Sequence, residues 1–114
     1  MKEKAIIGLT EEIVIYSKDG DEVVIKARID TGATKSSIDT KLAAELQLGP
    51  VVETKTVKSV HGTGVRAIVE GKIRLADKDI ITQFTIADRS HMKFPVLIGQ
   101  NALKNGFLID PSKK

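Results

Sequence analysis

The amino-acid sequence predicts a mainly β protein whose strands close into a small barrel, with one short helix and a helical turn near the C-terminus. Short apolar and β-branched runs recur along the chain and are separated by glycine and turn residues, which is typical of closed β architectures. A clear helical pattern occurs only around Leu42, Ala43 and Leu46. The 114 residues, 41% hydrophobic and 29% charged, predict one globular domain over residues 1–114.

The first part of the chain is predicted to form a hairpin that ends at an aspartate. Strands are expected over residues 6–9, 12–16 and 22–29, with a turn at Asp19 and Gly20. In the third strand, alternate residues from Val23 to Ile29 share one face. This phasing places Asp30 at the edge of the sheet.

A short helix is expected after this hairpin. Either Asp39 or Thr40 can cap a helix over residues 41–46, and Gly49 and Pro50 end it.

Two β-rich runs then predict a long hairpin with a glycine-rich tip. The runs cover residues 51–60 and 65–75, and the tip consists of His61, Gly62, Thr63 and Gly64. The segment from Gly62 to Ala67 also has the spacing of a dinucleotide-binding fingerprint. Because a β-rich run and not a helix follows it, a phosphate would have no helix N-terminus to bind, and that reading is rejected.

The last third of the chain continues the β pattern. We expect a turn over residues 76–79, strands over 80–86, 96–98 and 107–109, and one helical turn over 101–105.

The candidate site is the loop that follows the third strand. Asp30, Thr31 and Gly32 place a carboxylate, a hydroxyl and a flexible backbone position at the end of a strand. An apolar run that ends at Gly99 is expected to pack beside this loop.

These two segments resemble the aspartic peptidases of the retropepsin type, in which an Asp-Thr-Gly-Ala loop precedes a late pair of apolar residues and a glycine. More narrowly, the chain resembles a small prokaryotic retropepsin-like family labelled ATP-dependent zinc proteases. The resemblance implies an acid-protease fold with Asp30 as the catalytic residue and with Thr31 and Gly32 shaping the loop. It also implies that Ala33 and Thr34 contact substrate.

In the resembled family, the long hairpin is the flap that closes over substrate. The implied flap residues that contact substrate are His61, Gly62, Thr63 and Gly64. Each chain supplies a single Asp-Thr-Gly, so the implied mechanism requires a homodimer whose two Asp30 carboxylates share one proton. Such a pair predicts activity on the acidic side of neutral.

The sequence departs from the viral retropepsins at two positions. Thr34 stands where those enzymes have an acidic residue, and Gln100 stands where they have an arginine. Because both halves of an ion pair are replaced together, the change predicts a rebuilt brace and leaves no unpaired charge.

Several other chemistries are excluded or disfavoured. The absence of cysteine excludes disulfides, thiol catalysis and cysteine-ligated zinc. His61 and His91 are the only histidines and lack the spacing of a metal motif, so no metal site and no cofactor are expected. No phosphate-binding loop is present, so ATP dependence would require a partner.

Alternatives concern partners and substrates. Lys35 and Arg28 near the loop favour acidic peptides, and analogy with relatives associated with ATP-grasp ligases suggests isopeptide-like substrates. The leading alternative is a non-catalytic retropepsin-fold module that binds a peptide or such a ligase. Nucleic-acid binding is disfavoured by a net charge of only +3 and by few aromatics. A cytoplasmic, membrane-free location is expected because no signal peptide or long apolar run is seen.

Overall fold

The computed structural model describes residues 3–113, which form nine strands and two short helices. The strands are β1 (Ala5–Ile7), β2 (Thr10–Tyr16), β3 (Glu22–Ile29), β4 (Ser36–Asp39), β5 (Val51–Ser59), β6 (Gly62–Leu75), β7 (Lys78–Ala87), β8 (Val96–Ile98) and β9 (Phe107–Ile109). The helices are α1 (Thr40–Glu45) and α2 (Gln100–Leu103).

Six strands close into a barrel, which confirms the predicted mainly β fold. Neighbouring strands run in the order β2, β3, β8, β4, β7 and β6, and β6 pairs back to β2 through Val14 with Arg74 and Ile15 with Ile73. β5 extends the sheet beyond β6. β1 and β9 form a separate parallel pair.

The barrel interior is filled by the alternate apolar residues of its strands. Ile13 and Ile15 of β2 meet Ile73 of β6, Phe84 of β7 and Ile98 of β8 in one cluster, and each is at most 1% exposed. This two-residue alternation is the pattern that predicted the strands. The alternation fixes which residues of each strand point into the barrel interior.

Strands β1 and β7 differ from the predicted strands at their ends, for reasons that lie in the adjacent turns. β1 ends at Ile7 and not at residue 9, because the amide of Gly8 turns to donate to Glu11 Oε2 at 2.7 Å. β7 begins earlier than predicted because Ala76 and Asp77, with φ of 48° and 66°, complete the turn by themselves.

Helix α1 starts one residue earlier than predicted, at Thr40. The Asp39 side chain accepts from the amide of Lys41, which confirms Asp39 as the cap. The helix ends at Glu45, before Gly49 and Pro50 are reached.

The tip of the long hairpin is shorter than predicted. The β5–β6 register continues to the pair Ser59 and Gly62, so Val60 and His61 alone connect the strands. Thr63 and Gly64 lie in β6 itself. The glycines do not break the pairing because the backbone bonds of the ladder need no side chain.

The two helices of the described chain have six and four residues. Neither has the length or apolarity to cross a membrane.

Candidate active site

The loop over residues 30–35, called here the active-site loop, holds the Asp30 carboxylate by backbone bonds. The Asp30 amide donates to Ile98 O at 2.9 Å, which ties the start of the loop to β8. The Gly32 amide donates to Asp30 Oδ1 at 2.9 Å, and the Ala33 amide donates to Asp30 O at 3.2 Å. The carboxylate is therefore oriented by its own loop and remains partly exposed.

Strand β8 lies between β3 and β4, the two strands that flank this loop. It runs parallel to β3, pairing Ile98 with Ile29, and antiparallel to β4, pairing Val96 with Ile38. The active-site loop must therefore cross the end of β8, where Gly99 follows. A Cβ on Gly99 would lie 2.5 Å from Lys35 O, so the close crossing requires glycine.

Helix α2 braces the loop from the other side. Gln100 Nε2 donates to Thr31 O at 2.7 Å, and the Gln100 amide donates to Ala33 O at 2.8 Å. The Asn101 amide donates to Thr34 O at 3.1 Å. These uncharged bonds tie the active-site loop to α2, and Gln100 contributes both its side chain and its amide to them.

A buried hydrogen-bond network, which was not predicted from the sequence, connects β4, β7 and α2. Ser36 is fully buried, and its hydroxyl donates to Asn101 Oδ1 at 2.8 Å while it accepts from the Gly99 amide at 3.0 Å. Asn101 Nδ2 donates to Gln83 O at 2.9 Å. A serine at an inward position of a strand was the available signal, because a buried hydroxyl needs partners.

The long hairpin and the active-site loop bound a groove of about 520 Å³, called here the inner groove. Thr34 and Lys35 line it from the loop, and Lys55, Val57 and Arg66 line it from the hairpin.

The structure does not bring all of the predicted substrate-binding residues to the same groove. Ala33 and Thr34 lie in the loop beside Asp30, whereas His61, Gly62, Thr63 and Gly64 lie at the far end of the hairpin and do not line the inner groove. Sequence reasoning missed Lys55 and Arg66 because their side of the strand depends on the hairpin register.

A comparison of the sequence with known protein families identifies the family of this chain. The family model described as retropepsin-like aspartic endopeptidase RimB matches residues 38–114, which is more than half of the chain. The chain belongs to the RimB-like family of retropepsin-like aspartic endopeptidases. The match begins after Asp30, so the role of the active-site loop depends on the geometry described above.

Solved structures show the same fold. A crystal structure of a Legionella pneumophila protein with unknown function has 21% identity and a TM-score of 0.65, covering 96% of this chain and 95% of that chain. A retropepsin-like aspartic protease from Rickettsia conorii has 22% identity and a TM-score of 0.58, covering 91% and 94%. The EIAV protease complexed with the inhibitor HBY-793 has 18% identity and a TM-score of 0.64, covering 92% and 89%. No curated protein sequence matches.

Cationic side chains line the inner groove of this RimB-like chain. None of the residues that line the inner groove is acidic. Lys35 Nζ lies 3.9 Å from Glu53 Oε2 and 3.4 Å from Gln83 Oε1, and its side chain is 34% exposed. The inner groove therefore favours a ligand that carries negative charge.

A second cationic feature lies near Asp30. Arg89 Nε donates to Phe94 O at 3.0 Å, and the Arg89 amide donates to Asp39 Oδ1 at 2.8 Å. Burial lowers the pKa of Arg89, the Asp39 carboxylate opposes that shift, and Arg28 and Asp30 are close enough to contribute. Sequence reasoning identified Arg28 but missed Arg89, which the β7–β8 connection brings back to the site.

The zinc named in the label of the resembled family does not fit these residues. Within residues 3–113, no group of three or more His, Cys, Asp or Glu side chains is placed to hold a metal ion.

Proposed function

We propose that this RimB-like chain is an aspartic endopeptidase whose active site forms between two copies, each contributing Asp30. The observation that carries the proposal is the support of the Asp30 carboxylate by the Gly32 amide, inside a loop fixed to β8 and α2. Thr31 would contact the partner's loop through its hydroxyl, and Gly32 leaves room for the substrate backbone.

The chemistry is hydrolysis of a peptide bond by two carboxylates that share one proton. The ionised carboxylate accepts a proton from a water molecule, whose oxygen attacks the carbonyl carbon. The other carboxyl donates its proton to the carbonyl oxygen. When the tetrahedral intermediate breaks down, the carboxyl that took the water proton gives it to the nitrogen, and the other carboxylate takes a proton back from a hydroxyl of the intermediate. The C–N bond then breaks to release the amine and the new carboxyl group. One Asp30 cannot perform both roles at once, so a single copy is expected to be inactive.

The β1–β9 sheet is the proposed contact surface between copies. Ile6 of β1 pairs with Leu108 of β9, and these side chains are 54% and 49% exposed. Leu9 is 51% exposed, and its carbonyl accepts from the amide of Ile29, directly before Asp30. Leu9 therefore lies beside the end of the strand that carries Asp30, as a contact between copies near a shared Asp30 pair requires.

The proposed substrate is a peptide or isopeptide with an acidic residue in the inner groove. Lys35, Lys55 and Arg66 would pair with its carboxylate. Ala33 and Thr34 would contact the substrate backbone from the active-site loop. The hairpin tip, His61, Gly62, Thr63 and Gly64, would reach the substrate only if the hairpin moved toward the site.

The test compares the native protein with Asp30→Asn on a synthetic peptide library at several values between about pH 4 and pH 7. Asp19→Asn, which removes the same charge at an exposed turn, is the matched control. We expect cleavage by the native protein and the control, and no cleavage by Asp30→Asn with its size in solution unchanged. Cleavage that survives in Asp30→Asn would overturn the proposal, as would peptide binding without cleavage at every pH tested.

A further inference from the structure

A second groove lies between helix α2, strand β7 and the active-site loop, with one residue of β6 in its wall. It has a volume of about 620 Å³ and is called here the outer groove. Its walls include Gln100 and Lys104 from α2 and the segment after it, Ile81 and Gln83 from β7, and Glu70 from β6. Natural ligand pockets have volumes of this size.

The outer groove and the inner groove share two lining residues. Thr34 and Lys35 line both of them. A polypeptide in the inner groove that passes Thr34 would therefore reach the outer groove. If two copies meet at Asp30, the same path is available at each end of the shared cleft.

The side chains of the outer groove are suited to an extended polypeptide. Ile81 is 67% exposed and offers an apolar contact within an otherwise polar wall. Within residues 3–113, neither Lys104 nor Glu70 forms an ion pair. Among the described residues, only Lys35 donates to Gln83 Oε1, at 3.4 Å, so this oxygen can also accept from a peptide N–H.

We infer that the outer groove is a distal binding site for the same substrate polypeptide, taking residues that flank the cleaved segment. An apolar substrate residue packs on Ile81, and a carboxylate farther along pairs with Lys104. This inference depends on the proposed function. It adds a requirement for substrate length that the active-site loop by itself does not impose.

The test uses two peptides cut from one sequence that the library identifies as cleaved. The short peptide has about eight residues, or roughly 27 Å when extended, and the long one has about sixteen. Ile81→Thr removes the apolar contact and keeps a β-branched residue, and Lys104→Glu reverses the charge. Lys26→Glu is the matched control, because Lys26 is exposed on β3 and lines none of the grooves described.

We expect each groove variant to raise KM for the long peptide about tenfold, with kcat unchanged, and to leave the short peptide unaffected. The control should match the native protein with both peptides. An equal change in KM for the two peptides, or no change for either, would overturn the distal binding site. The proposed function would still stand.

If the native protein cleaves no peptide, the proposed function fails by itself. The groove is then tested by binding of a mixed-sequence library of about sixteen residues to Asp30→Asn, with and without Lys104→Glu. Weaker binding in the double variant supports the distal site, and equal binding overturns it.

Discussion

The side-chain amide of Gln100 donates a 2.7 Å hydrogen bond to the backbone carbonyl of Thr31. The bond joins the first turn of α2 to the residue after Asp30. It fixes the loop without a charged group, so its strength should depend little on salt or pH. An uncharged hydrogen bond therefore helps to position the Asp30 carboxylate of the proposed dyad.

Gln100→Ala should lower kcat by about tenfold to a hundredfold, because the loop that positions Asp30 loses a support. Thermal unfolding should shift only slightly, since an exposed hydrogen bond contributes about 0.5–1.5 kcal/mol. Gln100→Arg, which retains N–H donors, should recover most of the activity. Equal kcat in the alanine variant and the native protein would show that the bond does not position the loop.

Gly99→Ala should destabilise the fold by about 3 kcal/mol or more. The new Cβ would lie 2.5 Å from Lys35 O and 2.8 Å from Ala33 O, and neither backbone oxygen belongs to a flexible side chain. Gly64→Ala is the matched control, because nothing lies within 4 Å of its Cβ position. Denaturant unfolding of both variants measures the difference, and a Gly99 variant as stable as the control would contradict the crossing described.

Ser36→Ala should reduce the free energy of unfolding by about 1–3 kcal/mol, because the Gly99 amide and Asn101 Oδ1 lose a buried partner. The neighbouring Ser37→Ala removes a partly exposed hydroxyl and should change it by less than about 0.5 kcal/mol. Chemical denaturation compares the two. A similar change in the free energy of unfolding for both variants would mean that water replaces the Ser36 contacts.

The strands could be predicted from the sequence because their alternation is local. The β3 strand over residues 22–29 and the β8 strand over 96–98 have the predicted bounds. The Asp30 loop was found for the same reason, since a strand followed by Asp-Thr-Gly is a contiguous pattern.

The contacts of the site depend on pairings across the barrel, which the sequence does not state. Ser36 and Asn101 meet across 65 residues, and Lys55 reaches the inner groove only through the hairpin register. The predicted hairpin tip is too long because glycine is a turn signal in sequence, whereas the β5–β6 ladder continues through Gly62. The register between strands that are distant in sequence therefore determines these contacts, and local sequence propensity does not predict it.

Leu108→Glu should prevent two copies from associating and abolish cleavage while the monomer remains folded. The charge would lie on the exposed face of β9, beside Ile6. Val24→Glu is the matched control, since Val24 is 62% exposed on the separate β3 strand. Analytical ultracentrifugation and peptide cleavage measure both effects, and an active, dimeric Leu108 variant would contradict the proposed contact surface.

The fold should begin to weaken just below the acid range in which the proposed dyad works. Hydrogen bonds from the Ser112 hydroxyl and amide hold the pKa of Asp110 below its ordinary value, and Ser90 does the same for the pKa of Asp88. A carboxyl whose folded pKa is depressed stabilises the fold above its unfolded pKa, and this contribution is lost as the pH falls through the folded value.

Unfolding temperatures should therefore fall below about pH 4, and Asp110→Asn should make that decline shallower. Asp19→Asn measures the effect of losing one negative charge without the Ser112 contacts. Thermal unfolding between about pH 2 and pH 7 tests the expectation. The same slope in the Asp110 variant and the native protein would show that the Ser112 bonds do not couple to folding.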